Sequence, residues 1–202
     1  MLLATRNEGK VAELRRILGD AVDLVGLGEV PPYDEVPETG ATFAENALVK
    51  AREGVRHTGL VTIADDSGLA VDALNGMPGV LSARWAGRAR DDRANLALVL
   101  DQLADVLEER RGAVFICAAA LVTPDGEERV VEGRMPGRIG HAPRGTGGFG
   151  YDPIFIAAGH TETTAELSAT EKDAISHRGQ AFRTLAAILA ASRGEYPISY
   201  SK

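Results

Sequence analysis

Two adjacent carboxylates, Asp65 and Asp66, close the apolar run Leu60 to Ala64 and are followed at once by Ser67 and Gly68. A strand sends successive side chains to opposite faces, so the two acids cannot both address one ligand while the strand persists. One faces a site, and the other is free to accept N–H groups from a turn made by Ser67 and Gly68. A buried unpaired carboxylate costs several kcal/mol, which makes a cation its natural partner. A solvated turn or cap is the competing reading. Glu38 lies in a loop ahead of a helix and is placed to give a second oxygen to a hard cation that Asp66 also binds. Mg²⁺ commonly takes one or two protein carboxylates and fills its shell with water and substrate phosphate. Glu45, on the same helix as Asn46 and Lys50, has a local role in a Thr42-x-x-Glu45 capping box.

Other segments supply groups for an anion. Thr5, Arg6, Asn7, Glu8, Gly9 and Lys10 join a strand to a helix, where free N–H groups and the helix dipole favour negative charge. With one glycine, and Val11 after the lysine, the stretch is not a G-x-x-x-x-G-K-[ST] loop, and plain helix capping competes. Residues 145–153, GTGGFGYDP, let backbone approach a ligand closely, and Phe149 or Tyr151 offers a flat surface for a base. Gly150 and Asp152 belong to the same loop, and an ordinary turn is the alternative. Lys172, His177 and Arg178 gather three potential cations near Ser176, a good N-cap; a solvated helix face is their bland reading. Together these groups describe a cleft for a nucleoside triphosphate. No Cys/His cluster has zinc spacing, and no G-x-S-x-G elbow is present.

The elements that must position these residues are legible in outline. Leu2 to Thr5 begins a strand, and Val11, Leu14, Ile17 and Leu18 follow at helical spacing. Ala44, Ala47, Leu48, Ala51 and Val55 form the apolar face of the helix that Thr42 opens. Asp91 is placed to cap a helix lined by Leu96, Val99, Leu100, Leu103 and Leu107. Ala113 to Val122 reads as a central strand, and Pro124-Asp125-Gly126 turns it into an antiparallel partner around Arg129 to Met135. Tyr151 to Ile156 reads as a further strand. Ser168 and Glu171 make a second capping box, and a terminal helix turns Phe182, Leu185, Ile188 and Leu189 inward. The hairpin breaks strict βαβ order, so an α/β fold with a mixed central sheet flanked by helices is expected, as one domain over 1–202.

Of the 202 residues 45% are apolar, ample for a core, and the longest apolar run falls far short of the ~20 residues of a membrane helix. No membrane partner is expected. The net charge of -7 argues against non-specific nucleic-acid binding, which needs surplus Lys and Arg, yet it leaves room for an anionic small ligand at a local cationic cluster. The lone Cys117 permits no intrachain disulfide, and the start of the chain lacks the pattern of a secretory signal, so a reducing cytoplasm is expected.

Five segments, ATRNEGK, ETGATFAENALVKAR, IADDSGLAVDALNGMPGVLSARWAG, GTGGFGYDPIF and AELSATEKDAISHRGQAFR, occur in an order that resembles the inosine triphosphate pyrophosphatase family, from residue 2 to about residue 185. The resemblance implies two lobes around a nucleotide cleft, a homodimer, and Mg²⁺-dependent cleavage of deaminated purine triphosphates (ITP, dITP, XTP) to monophosphate and pyrophosphate. It implies that Thr5 to Lys10 hold phosphate and that Glu38 and Asp66 serve the metal, Asp66 also as general base. Ser67 would touch the substrate, and Phe149 to Asp152, Lys172, His177 and Arg178 would bind the nucleotide. Arg6 stands where many relatives have glycine. A pyrophosphatase for modified pyrimidine nucleotides and a nucleotide-binding protein without turnover are the alternatives.

Overall fold

A computed structural model describes residues 1–18, 23–34 and 36–192. In chain order these form β1 (Leu2–Leu3), α1 (Glu8–Leu18), β2 (Val25–Gly26), α2 (Phe43–Thr58), β3 (Thr62–Val71) and β4 (Met77–Pro78). Then come α3 (Asp92–Gln102), β5 (Gly112–Val122), β6 (Glu128–Ile139), β7 (Phe155–Ala157), α4 (Ala169–Ile175) and α5 (His177–Ser192). The strands make one mixed sheet in the order β2-β1-β3-β5-β6-β7, with β4 added to the end of β3. β1 runs parallel to β2 and β3, while β3, β5, β6 and β7 each run antiparallel to the next strand in the sheet. The expected α/β class and the hairpin are both present.

Three apolar clusters pin this sheet. On one face Ile63 of β3 packs with Cys117, Ala119 and Leu121 of β5 against Leu14 of α1 and Phe182 and Leu185 of α5. Each fully buried side chain of that size contributes about 1.5–3 kcal/mol. On the opposite face Ala64, Ala118, Ala120 and Val122 meet Ala47 and Ala51 of α2, small residues that let the helix lie close to the strands. At the far end of the long strands Leu69, Val71, Phe115, Met135 and Ile139 gather Leu96 and Val99 of α3 and Phe155 of β7. The same three strands thus serve both packed ends. Gly133 of β6 is required by the approach of α5, since a Cβ there would run into the carbonyl of His177 and the amide of Ala181.

Local signals account for most boundaries. The Thr42 hydroxyl accepts from the Glu45 amide at 3.1 Å, but the Glu45 carboxylate reaches back to the Ala41 amide at 2.6 Å, so the expected capping box is only half formed. Asp91 caps α3 through the amides of Arg93 and Ala94, and Ser168 and Glu171 form a complete box on α4. Three expectations need correction. β3 does not end at Asp65–Asp66 but continues through Ser67 and Gly68, paired throughout with β5, because a ten-residue ladder outweighs the local turn tendency. The segment from Tyr151 opens as a 3-10 turn over Asp152–Ile154, where Pro153 cannot donate to a ladder, and becomes strand only at Phe155. Leu107 is 63% exposed rather than inward, since α3 stops at Gln102. The stop is reinforced by Arg111, buried to 1% exposure, whose guanidinium donates to the carbonyls of Leu103, Ile139 and Gly140.

Candidate functional site

A cleft of about 340 Å³ is lined by residues of the Thr5–Lys10 loop, α2, β3, the 79–92 segment, the 149–152 loop and α5. Asp66, Ser67, Glu38, Thr5, Arg6, Asn7, Lys10, Phe149 to Asp152, Lys172, His177 and Arg178 all line it. Among the expected residues Glu8 and Gly9 do not. Glu8 is exposed at the start of α1, and Gly9 packs against the ring of Phe149.

Asp65 lies on the α1 and α5 face of β3. Its Oδ2 meets Lys10 Nζ at 2.8 Å, Arg178 Nε at 3.4 Å and the Ser67 hydroxyl at 3.3 Å. These are side chains and not the turn amides expected from sequence. Burial raises the Asp65 pKa, but Lys10, Arg178 and Lys50 outweigh it and hold the carboxyl far below its usual range. The network continues behind the cleft. Arg178 donates to Ser67 Oγ at 2.9 Å and forms an ion pair with Glu13, and Lys172 bridges Glu13 at 2.9 Å and Asp152 at 2.5 Å. Lys172, His177 and Arg178 are 6%, 5% and 2% exposed, which excludes the solvated-face reading for all three.

Phe149 sits on this floor, with Lys172 Nζ 5.1 Å and the Arg178 guanidinium 5.5 Å from its ring centroid. Its amide donates to Asp152 Oδ2 at 2.8 Å. Gly148 makes that turn at φ 68°, and any Cβ there would strike the Asp152 carboxylate. Tyr151 donates its hydroxyl to the Ser82 carbonyl at 2.8 Å, tying the glycine loop to the opposite wall. His177 stacks on Phe115 at 4.9 Å. Burial, together with Arg178 and Lys172, pushes its pKa well below the ordinary value, so the imidazole is neutral. Its Nδ1 and Asp65 Oδ1 are the buried side-chain polar atoms without a partner among the described residues.

Asp66 lies on the α2 face. Its Oδ2 accepts from Asn46 Nδ2 at 3.0 Å, and Lys50 Nζ stands 3.3 Å from Oδ1 and 2.9 Å from Glu38. Arg84 adds a second cation to Glu38 at 3.2 Å. Burial raises the Asp66 pKa; Lys50 opposes and Glu38 adds to it, leaving the carboxyl above its usual value. Burial raises the Glu38 pKa, but Lys50, with Lys10 and Arg84, overcomes it and leaves the carboxyl below its usual value. Asn46 also accepts from the Gly40 amide at 2.8 Å, so one side chain fixes both the Glu38 loop and Asp66.

No group of three or more His, Cys, Asp or Glu among the described residues forms an all-protein metal cage. Two carboxylates within reach of one ammonium are still a fitting donor set for Mg²⁺, which takes hard oxygens, needs few from protein, and draws the rest from phosphate and water. Lys50 occupies the point between them. Sequence reasoning passed over Lys50, Asn46 and Glu13 as site residues. The i, i+4 spacing of Asn46 and Lys50 was the one available signal, since it places both on one helix face.

The phosphate-side loop is shaped by its own capping. Asn7 Oδ1 accepts from the Lys10 amide at 3.0 Å, and Thr5 Oγ1 from the Asn7 amide at 3.3 Å. Arg6 donates to the Tyr33 carbonyl at 2.7 Å.

A sequence description of the Ham1 family matches residues 1–188. A dITP/XTP pyrophosphatase from Nocardia farcinica is 63% identical over 195 residues, 95% of each chain. Among solved structures, a nucleoside-triphosphatase (dITP/XTP pyrophosphatase) from Mycobacterium abscessus is 64% identical with a TM-score of 0.76, covering 93% of this chain and 97% of that one. The Ham1 protein of Staphylococcus aureus, 40% identical, reaches a TM-score of 0.85 over 95% of this chain and 98% of that one.

Proposed function

The chain belongs to the Ham1 family, and from that premise we propose that it hydrolyses the deaminated purine nucleotides ITP, dITP and XTP to the monophosphate and pyrophosphate. The observation that carries this reading is the pair Asp65 and Asp66, one acid neutralised by Lys10 and Arg178, the other held at the cleft beside Glu38 with a raised pKa.

Glu38 and Asp66 would hold Mg²⁺, which supplies charge neutralisation to the phosphate oxygens. Asp66 takes a proton from the attacking water as its oxygen bonds to the α-phosphorus. The bond from that phosphorus to the bridging oxygen breaks, and pyrophosphate leaves with the electron pair. Phosphoryl transfer asks mainly for positioning and charge stabilisation, so no protein nucleophile is needed. Lys10 and Lys172 offset charge on the phosphates. Phe149 offers the base a flat seat above two cations, and a hydrogen-bond donor meeting the purine 6 position there would favour a 6-keto base over a 6-amino one, whose own donor would leave it unpaired. A homodimer and a cytoplasmic setting complete the reading; the sole cysteine is buried and free, and no helix among the described residues is long and apolar enough to cross a membrane.

Pyrophosphate release across ITP, XTP, ATP and a modified pyrimidine triphosphate, with Mg²⁺ or EDTA, tests this. Turnover of ITP and XTP that EDTA stops is expected. Equal kcat/KM for ATP and ITP, or undiminished rates in EDTA, would refute it.

A further inference from the structure

The cations lining the cleft are not equally available. Lys10, Lys50, Lys172 and Arg178 are each committed to one or more carboxylates. Arg6 gives one Nη of its guanidinium to the Tyr33 carbonyl. Arg90 alone among them has no side-chain hydrogen bond or ion pair among the described residues. It is exposed, yet it lines the cleft with the rest of the 79–92 segment.

Its backbone is unusual as well. Arg90 has φ 53°, in the left-handed region that a long side chain seldom occupies, and the flanking structure holds it there. Asp91 is engaged in capping α3, and Asp92 accepts the Gly150 amide at 2.8 Å, which fastens this turn to the loop bearing Phe149. The conformation is over-determined from the C-terminal side, and its result is a guanidinium delivered to the mouth of the cleft with no side-chain partner among the described residues.

We propose that Arg90 binds the outer phosphates of the substrate, those that depart as pyrophosphate, and so selects triphosphates over shorter nucleotides. This rests on the proposed hydrolysis and adds a specificity residue to it. The assignment to the outer phosphates follows from depth. The α-phosphorus must reach Asp66, which is 7% exposed, whereas Arg90 stands at the rim, where the chain's remaining charge emerges. A planar guanidinium also suits bidentate contact with phosphate oxygens.

Arg90→Asn removes the charge while keeping a residue that tolerates positive φ, and Arg90→Gly serves the same purpose should Asn unsettle the turn. Arg88→Asn, two residues away and outside the cleft lining, controls for net charge. Calorimetric titration of the full chain in magnesium buffer with inorganic pyrophosphate and with IMP separates the two ends of the substrate. Arg90→Asn is expected to weaken pyrophosphate binding about tenfold, leave IMP binding within about twofold, and raise KM for ITP about tenfold with little change in kcat. Unchanged pyrophosphate affinity, an equal loss for IMP, or an equal loss in Arg88→Asn would overturn the assignment. If the wild-type chain neither binds pyrophosphate nor releases it from ITP, the proposed function fails instead.

Discussion

On one face of β3, Asp65 meets Lys10, Arg178 and Ser67 and is 1% exposed; on the other, Asp66 shares Lys50 with Glu38 and has Asn46 for its second oxygen. The first face is over-supplied with cations, and its carboxyl is driven far below the usual range. The second is under-supplied, and its carboxyl is held above it. Neighbouring residues of one type thus do different work because the strand hands them to different helices. A saturated ionic network keeps its shape, whereas a carboxylate short of positive charge is ready to take a proton or a metal.

The contrast is most strongly tested at Asp66. Asp66→Asn is expected to cut kcat on ITP by about 10⁴-fold, the upper end of what a general base supplies. The same variant should be more stable at neutral pH. A raised folded-state pKa means that Asp66 favours folding while protonated, and that contribution is lost as pH rises through the folded value, so the ionised group is a burden which asparagine lifts. A lower urea midpoint for the variant would contradict the assignment. Asp65→Asn should do the reverse, losing about 3–5 kcal/mol of stability because Lys10 loses its carboxylate and Arg178 keeps only Glu13. Urea denaturation with an unchanged midpoint would show that the network is not the scaffold described here. The depressed Asp65 pKa gives stability that is present above the unfolded value and lost only as pH falls through the folded one. Its contribution should therefore be flat across neutral pH.

The smallest expected effect is a displacement. With Asp66 raised by burial, its carboxyl in the metal-free protein should titrate above the ordinary aspartate range, and Lys50→Met should move it higher still by removing the opposing cation. An Asp66 carboxyl resonance that titrates at the same pH in both metal-free proteins, followed by NMR, would take Lys50 out of the electrostatics of Asp66.

Where a signal is local, it could be read from the sequence. The Ser168 and Asp91 caps, the Pro124-Asp125-Gly126 turn and the small-residue face of α2 depend on neighbours three or four positions apart. The alternation of Asp65 and Asp66 was equally legible, since pleating requires it. The partners that decide their chemistry were not. Glu13 is buried because it meets Lys172 and Arg178, 159 and 165 positions away, and nothing in the spacing of α1 announces that. The persistence of β3 through Ser67 and Gly68 likewise comes from the ladder with β5, a long-range pairing that overrides turn-forming residues.

That ladder leaves little room for sliding. Ten consecutive partners of β5 fix which residue of β3 stands opposite which, from Thr62 against Val122 to Val71 against Ala113. An insertion of one residue before Asp65 would exchange the two acids between α1 and α2, putting the proposed general base among arginine and lysine and the buried ion-pair partner beside Glu38. Length variation in this chain is therefore tolerable in its outer turns and ruinous within these few positions.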